Sequence, residues 1–204
     1  MAGADVFGRR DVAAMVTDFF ERFRRHDGGY AKSQRGGRGS TYHTFLVAAC
    51  KQLVDAPPDD AGRIARLVKS RCREDGGFVE VDQVRDGGTN PTAAAVGLLK
   101  MHDALDEQTR TEAARFLARM QIPGSGLRAN ARIPLADLLS TFTGLAALAD
   151  LDATSSIDTA AVRRFAESLA QPGGGFRGGD FDDAADVEYT FYGLGTLALL
   201  EKAD

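Results

Sequence analysis

Five carboxylates fall between residues 180 and 188: Asp180, Asp182, Asp183, Asp186 and Glu188, directly ahead of the apolar run "YTFYGLGTLALL". Acids at this density can do three kinds of work. A carboxyl held in an apolar mouth has its pKa raised and becomes a general acid. Several together hold a divalent cation, although this loop lacks the central glycine and terminal glutamate of an EF-hand. At the start of a helix they cap backbone N–H groups and favour the dipole. The opposite charge recurs along the chain as Lys32, Arg35, Arg38, Arg85, Arg128, Arg132 and Arg177. Guanidinium groups beside helix N-termini suit an anion such as a diphosphate. The competing reading leaves them solvated or paired with the acidic tetrad Asp180-Phe181-Asp182-Asp183. Tyr42, Phe45, Phe142, Phe191 and Tyr192 stand near the starts of apolar segments, where they either line a hydrophobic channel or fill the core.

A repeat positions these residues. "DGGY", "DGGF", "GSGL" and "GGGF" place Gly29, Gly77, Gly126 and Gly175 at intervals of 48, 49 and 49 residues. Fifteen residues after each stands a threonine: Thr44, Thr92, Thr141 and Thr190. Before each glycine, positions −13, −10, −9 and −6 read Val16/Phe19/Phe20/Phe23, Ile64/Leu67/Val68/Arg71, Ala113/Phe116/Leu117/Met120 and Val162/Phe165/Ala166/Leu169. This is the stripe of an amphipathic helix with one wet face. After each threonine comes a helix apolar nearly all round, in which Gly97, Gly144 and Gly193 allow close approach. The unit is therefore an outer helix, a double-glycine turn supplying the positive φ of a helix C-cap, a polar loop and an inner helix. Stacked units of this kind build an α/α solenoid or toroid with the apolar helices inside. The inner helices run in one direction, so their N-termini and partial positive charges gather at one mouth.

Composition sets the outer bounds. With 204 residues and 44% apolar content the chain can bury a substantial core as one domain or a small repeat array. A net charge of −4 without a Lys/Arg run argues against nucleic acid. There is no apolar stretch of membrane-spanning length and no signal-like start, so a soluble cytoplasmic protein is expected. Cys50 and Cys72 fit neither a CxxC nor a disulfide framework, and free, buried thiols are expected.

The combination of "GGF", a fifteen-residue spacing, a threonine and "YTFYGLGTLALL" resembles the prenyltransferase and squalene-cyclase repeat of protein prenyltransferase β subunits and class II terpene cyclases, over about residues 11–202. The resemblance implies an all-α toroid or open arc of four hairpins, at about 11–54, 59–105, 107–151 and 158–202, within a single domain of residues 1–204. Such toroids commonly carry five or six hairpins, so closure of a ring from four is left open. In the zinc-dependent members the ligands are an Asp and a Cys, four and two residues before one repeat threonine, and a His just before the next. Here those positions hold Asp137, Leu139 and Tyr189. Without thiolate and imidazole a zinc site is not expected, nor any other cofactor, save Mg2+ accompanying a diphosphate. His43 precedes Thr44 but has no co-ligands and reads as a hydrogen-bonding histidine.

In the cyclase register the acidic tetrad lies six residues too early, and Asp186 and Glu188 take the first two acidic places. They are the candidate catalytic acids, with helix capping as the structural alternative. By the same resemblance Arg128, Arg132 and Arg177 would bind a diphosphate and Tyr42, Phe142, Tyr189 and Phe191 an isoprenoid chain. The function implied is that of a zinc-independent prenyltransferase-like or terpene-cyclase-like protein acting on or binding an isoprenoid. The alternative is a non-catalytic toroid whose open edges pair with another copy or a partner subunit.

Overall fold

The computed structural model describes residues 11–35 and 37–203 and is built from helical hairpins. The outer helices are α1 (Val12–Glu21), α3 (Ala61–Ser70), α5 (Glu107–Ala118) and α7 (Thr159–Ser168). The inner helices are α2 (Thr41–Leu53), α4 (Thr89–Met101), α6 (Leu138–Asp150) and α8 (Val187–Ala203). A 3-10 turn at Thr154–Ser156 and two short strands, β1 (Phe176–Arg177) and β2 (Ala185–Asp186), complete the regular structure. Inner helices pack in chain order, α2 on α4, α4 on α6 and α6 on α8, and no comparable packing joins α8 back to α2 among the described residues. The array is thus an arc. Its core is centred on the second and third repeats, where Phe78, Leu98, Leu99, Phe116, Leu127, Leu145 and Leu148 are fully buried.

The repeat spacing has a hydrogen-bonding cause. Each repeat threonine accepts the backbone N–H of the aromatic or leucine after the glycine turn: Tyr30 to Thr44 Oγ1 at 3.0 Å, Phe78 to Thr92 at 2.8 Å, Leu127 to Thr141 at 2.9 Å and Phe176 to Thr190 at 3.1 Å. Thr44, Thr141 and Thr190 also donate to the carbonyl four residues back, which fixes the rotamer. In a buried turn the N–H needs such an acceptor. Asp27 and Asp75 tie the glycine turns, each accepting from a turn glycine and from a second glycine ten residues on.

The double glycine lies beyond the helix end rather than at it, correcting the C-cap expectation. The outer helices terminate at C-caps Arg22, Arg71, Arg119 and Leu169. A short bridge then pairs Arg24 with Tyr30, Cys72 with Phe78, Gln121 with Leu127 and Ala170 with Phe176. The tight reversal inside that bridge needs positive φ, which Gly28, Gly76, Gly124 and Gly174 supply.

The inner helices end on a second recurrent signal, Asp-Ala. Asp55, Asp103 and Asp152 have φ of 52°, 52° and 57°. The N–H groups of Ala56, Ala104 and Ala153 reach back to Lys51, Leu99 and Leu148 at 2.8–2.9 Å, completing Schellman caps.

Neighbouring repeats are stitched by their backbones. The first N–H of α2 donates to Glu80 O, that of α4 to Ala129 O and that of α6 to Gly178 O, at 2.8–3.1 Å. Buried ion pairs reinforce the first hairpins. Lys51 Nζ meets Asp59 at 2.9 Å and the Tyr30 hydroxyl at 3.1 Å, Arg24 pairs with Asp59, and fully buried Arg71 pairs with Asp82. Arg71 occupies a stripe position otherwise apolar, and its charge is matched by that pair and by Gly39 O at 3.2 Å. Cys50 and Cys72 are free but only partly buried. No helix among the described residues is long and apolar enough to cross a membrane.

Candidate functional site

The N-termini of the four inner helices gather at one mouth, with Tyr42 on α2, Phe142 on α6 and Tyr189, Phe191 and Tyr192 on α8. Phe142 packs edge-on against Phe191 (ring centroids 5.4 Å) and tilted against Tyr192 (5.5 Å), and Tyr189 meets Tyr192 at 6.2 Å. Small residues make the room: a Cβ at Gly195 would lie 2.5 Å from the Phe142 ring, and one at Gly178 2.5 Å from Tyr189. Thr143 Oγ1 bonds Asn90 Oδ1 at 2.6 Å between α6 and α4.

Carboxylates share this mouth. The Tyr192 hydroxyl donates to Glu188 Oε1 at 2.8 Å. Burial, that hydrogen bond and the Glu188 charge push the Tyr192 phenol far above its ordinary pKa. Burial also raises Tyr42, and the charges of Glu188 and Glu80 raise it further. Tyr189 is raised by burial and then by Asp137.

Asp186 is the N-cap residue of α8, its Oδ1 accepting from Tyr189 N at 2.7 Å, and is solvent-exposed. The half-buried acid at the mouth is Asp137. It caps α6 by accepting from Ser140 N at 2.7 Å and Ser140 Oγ at 2.8 Å. Burial nevertheless outweighs those bonds and raises its pKa. Sequence reasoning reached Asp137 as the residue at a family zinc-ligand position, but not as the raised acid. Burial was the missing quantity, because capping partners alone would lower a carboxyl.

Glu80 was also missed. It reaches from the second repeat onto the start of α2, hydrogen-bonded by Ser40 Oγ and by Tyr42 N at 3.2 Å. His43 Nδ1 lies 2.7 Å from Ser40 Oγ and 3.8 Å from Glu80. Since histidine and glutamate both approach the serine oxygen, neither orients the other, and the trio lacks the relay order of a nucleophilic triad. Its signal was a break in the repeat: the corresponding positions in the next two units are Ala129 and Gly178.

The basic residues are drawn into pairs. Arg132 bonds Asp86 in a cleft of about 360 Å³ formed by Gln83, Val84, Arg85, Asp86, Asn130 and Arg132. Arg177 meets Asp180 at 3.0 Å and Asp183 at 3.8 Å, so the acidic tetrad is its counter-charge. Arg38 pairs with Asp82. Arg128 turns to the Arg119 carbonyl at 3.4 Å, the C-cap of α5. The helix N-termini are largely engaged as well: the first N–H groups of α2, α4 and α6 by the next repeat, and later ones of α2, α6 and α8 by Ser40, Asp137 and Asp186. Of the residues expected to bind substrate, Phe142 and Tyr189 are joined through Tyr192, while Tyr42 sits near the start of α2 with its ring against His43. Phe191 abuts Phe142 but lies on the outer edge of α8, 61% exposed.

Comparison with known proteins accords with this architecture. The family model for the prenyltransferase alpha-alpha toroid domain matches residues 2–89 and 92–204. Among solved structures, Candida albicans protein geranylgeranyltransferase-I complexed with GGPP is similar, with a TM-score of 0.71 and 17% identity over 87% of this chain and 52% of that one. At that identity the likeness concerns the fold, and the chain spans about half the length of the one it matches. No curated protein matched.

Proposed function

The chain belongs to the prenyltransferase α/α-toroid family, and from that premise we propose that it holds an isoprenoid chain non-covalently at the tyrosine-lined mouth and performs no prenyl transfer. The observation that carries this reading is the ring cluster of Phe142, Tyr189 and Tyr192. Aromatic faces suit a polyunsaturated hydrocarbon, and the phenol hydroxyls provide a polar end. Leu139 and Tyr189 occupy the positions where transfer chemistry in the family calls for thiolate and imidazole. Neither zinc nor Mg2+ is needed for a complex of this kind.

Charge selects the head group. Asp137, Glu188 and Glu80 surround the rings, while Arg132 and Arg177 are committed to aspartates. A diphosphate would meet net negative potential, whereas a prenyl alcohol can donate to Glu188 and accept from a tyrosine hydroxyl. Asp186 then serves α8 as a cap, and Glu188 orients the Tyr192 hydroxyl.

The chain has no tryptophan and four tyrosines, three of them at the mouth, so tyrosine emission reports occupancy. Titration with farnesol or geranylgeraniol is expected to change that emission and raise the melting temperature. The corresponding diphosphates are expected to bind more weakly. Preference for the diphosphate, or no response to either, would overturn the reading. Tyr192→Ala is expected to weaken alcohol binding about tenfold.

A further inference from the structure

We infer that a second copy of this chain docks head to tail on the exposed edge of α8, reproducing the contacts that each repeat makes with the next. The argument compares equivalent positions in the four repeats and stands apart from any ligand at the mouth.

Three positions on each inner helix face the following repeat. Three residues before the repeat threonine stand Thr41, Thr89, Leu138 and Val187; the first three are buried and Val187 is 89% exposed. Four residues after it, Val96 and Leu145 are buried and Ala48 half-buried, but Leu194 is 57% exposed. One residue after it, the ring of Phe45 fills the space above Gly97 of the second repeat, and Phe142 that above Gly195 of the fourth, where an added Cβ would come within 2.7 and 2.5 Å. Phe191, the next in this series, projects into solvent. Val187, Phe191 and Leu194 together form an apolar surface of the kind the other repeats bury.

The first repeat carries the complementary half. The position that receives a phenylalanine in Gly97 and Gly195 is Ala49 on α2, again a small residue and only partly buried. In the outer layer, Leu67, Phe116 and Phe165 pack over the turn glycines of the preceding repeat, Gly29, Gly77 and Gly126. Their counterpart Phe19 is 51% exposed on α1, while Gly175 is approached only by Thr190 and Ala185 of its own repeat. The backbone stitch has a matching pair that joins no neighbouring repeat among the described residues. Glu80, Ala129 and Gly178 each accept the first N–H of the preceding inner helix; the matching carbonyl of the first repeat is that of Lys32, and the matching N–H is that of Val187. Charge agrees with this register. The fourth-repeat loop presents Asp180, Asp182 and Asp183, and the first-repeat loop presents exposed Lys32 and Arg35. Within the chain the same polarity joins the second loop to the third, where Asp86 pairs with Arg132. Contacts that use two different surfaces can propagate from copy to copy or close into a ring.

Sedimentation velocity on the full 204-residue chain tests this, the single copy having a mass of 21.8 kDa. Association that strengthens with concentration is expected. Phe191→Glu and Phe19→Glu each place a charge at an exposed site, so both variants should melt like the parent, and each should weaken association at least tenfold. Mixing the two variants leaves one intact α8 edge and one intact α1–α2 edge, and is expected to restore a species of two copies. A parent chain that stays monomeric into the high micromolar range would overturn the inference. So would association indifferent to Phe19→Glu, which would mean that like edges meet, or a mixture that stays monomeric.

Discussion

Replacing Thr141 by valine tests the cause assigned to the repeat spacing. Valine has nearly the shape of threonine, so the packing around α6 should survive. What it loses is the oxygen that accepts Leu127 N–H at 2.9 Å. Thr141 and Leu127 both have zero exposure, so no water can substitute. The Asp137 carbonyl, to which Thr141 Oγ1 donates, keeps its bond from Thr141 N at 2.9 Å and is not orphaned. The cost is therefore that of one buried unpaired N–H, about 1–3 kcal/mol, less a small gain from burying a methyl in place of a hydroxyl. A net loss of about 2 kcal/mol corresponds to about 4–8 °C in Tm for a chain of this size. Urea unfolding followed by far-UV circular dichroism should show a lower midpoint at unchanged slope. Thr190→Val supplies the internal comparison. Thr190 and its partner Phe176 are less completely buried, so water can take over the bond and the loss should stay below about 1 kcal/mol. A Thr141→Val protein within about 0.5 kcal/mol of the parent would behave like a neutral surface change, and the threonine register would then need another explanation.

Other expectations concern charge. Asp137 has a raised pKa because it is buried. The folded state binds its proton more tightly than the unfolded state, so ionisation costs stability at neutral pH, and that cost fades as pH falls through the folded pKa. Asp137→Asn keeps an N-cap side chain and should be at least as stable as the parent at pH 7 but hold no advantage near the unfolded carboxyl pKa of about 4; thermal melts at the two pH values decide. Asp59 has the opposite sign. Burial raises it, but hydrogen bonds and charge from Lys51 and Arg24 outweigh burial and bring it below the ordinary value. Its contribution is present above an unfolded pKa of about 3.9 and lost as pH falls through the folded one. Asp59→Ala, which takes the close ion-pair partner from buried Lys51 and leaves Arg24 paired with Glu21 alone, should cost about 3 kcal/mol at pH 7, and the gap to the parent should close below that carboxyl range. Finally, all four phenols are raised, chiefly by burial. An ultraviolet titration of the native chain should show them ionising above the free value of about 10, and Glu188→Gln should shift the Tyr42 and Tyr192 components down. A shift confined to Tyr192 would mean that the two ends of the arc do not meet electrostatically.

The helical architecture was legible because its determinants are local and repeated four times. The fifteen-residue interval from glycine to threonine is the span of one hydrogen bond, and the stripe before each glycine is one buried helix face. The Asp-Ala helix ends were equally repetitive, at residues 55–56, 103–104 and 152–153, yet escaped notice because positive φ was sought only at glycine. Aspartate tolerates that conformation when its neighbours close a Schellman cap. The mouth was legible in part. Tyr42, Phe142 and Tyr189 could be placed from their distance to the repeat threonine, since that distance fixes the end of the helix. Where the arginines point could not be placed, because it depends on which aspartate of a neighbouring loop lies within reach. Asp86 for Arg132 and Asp180 for Arg177 are neighbours of the fold or of the turn, not of the helical pattern.

That contrast also separates scaffold from specificity in this chain. Positions serving the scaffold recur in every unit: the threonine oxygen, the turn glycine and the apolar outer stripe. Apart from Phe142, which recurs as Phe45 and Phe191, the mouth is composed of departures from recurrence. Two residues before the repeat threonine the units read Tyr42, Asn90, Leu139 and Glu188; two after it, Leu46, Ala94, Thr143 and Tyr192. A site made of irregular positions can change its ligand without disturbing the hydrogen bonds that hold the arc together, as fold and function are set by different residues. Exchanging Tyr42 or Glu188 should therefore alter binding with little effect on Tm, whereas exchanging a fully buried repeat threonine should do the reverse. A Tyr42→Ala or Glu188→Gln protein that lost as much stability as Thr141→Val would show that the mouth is part of the scaffold after all.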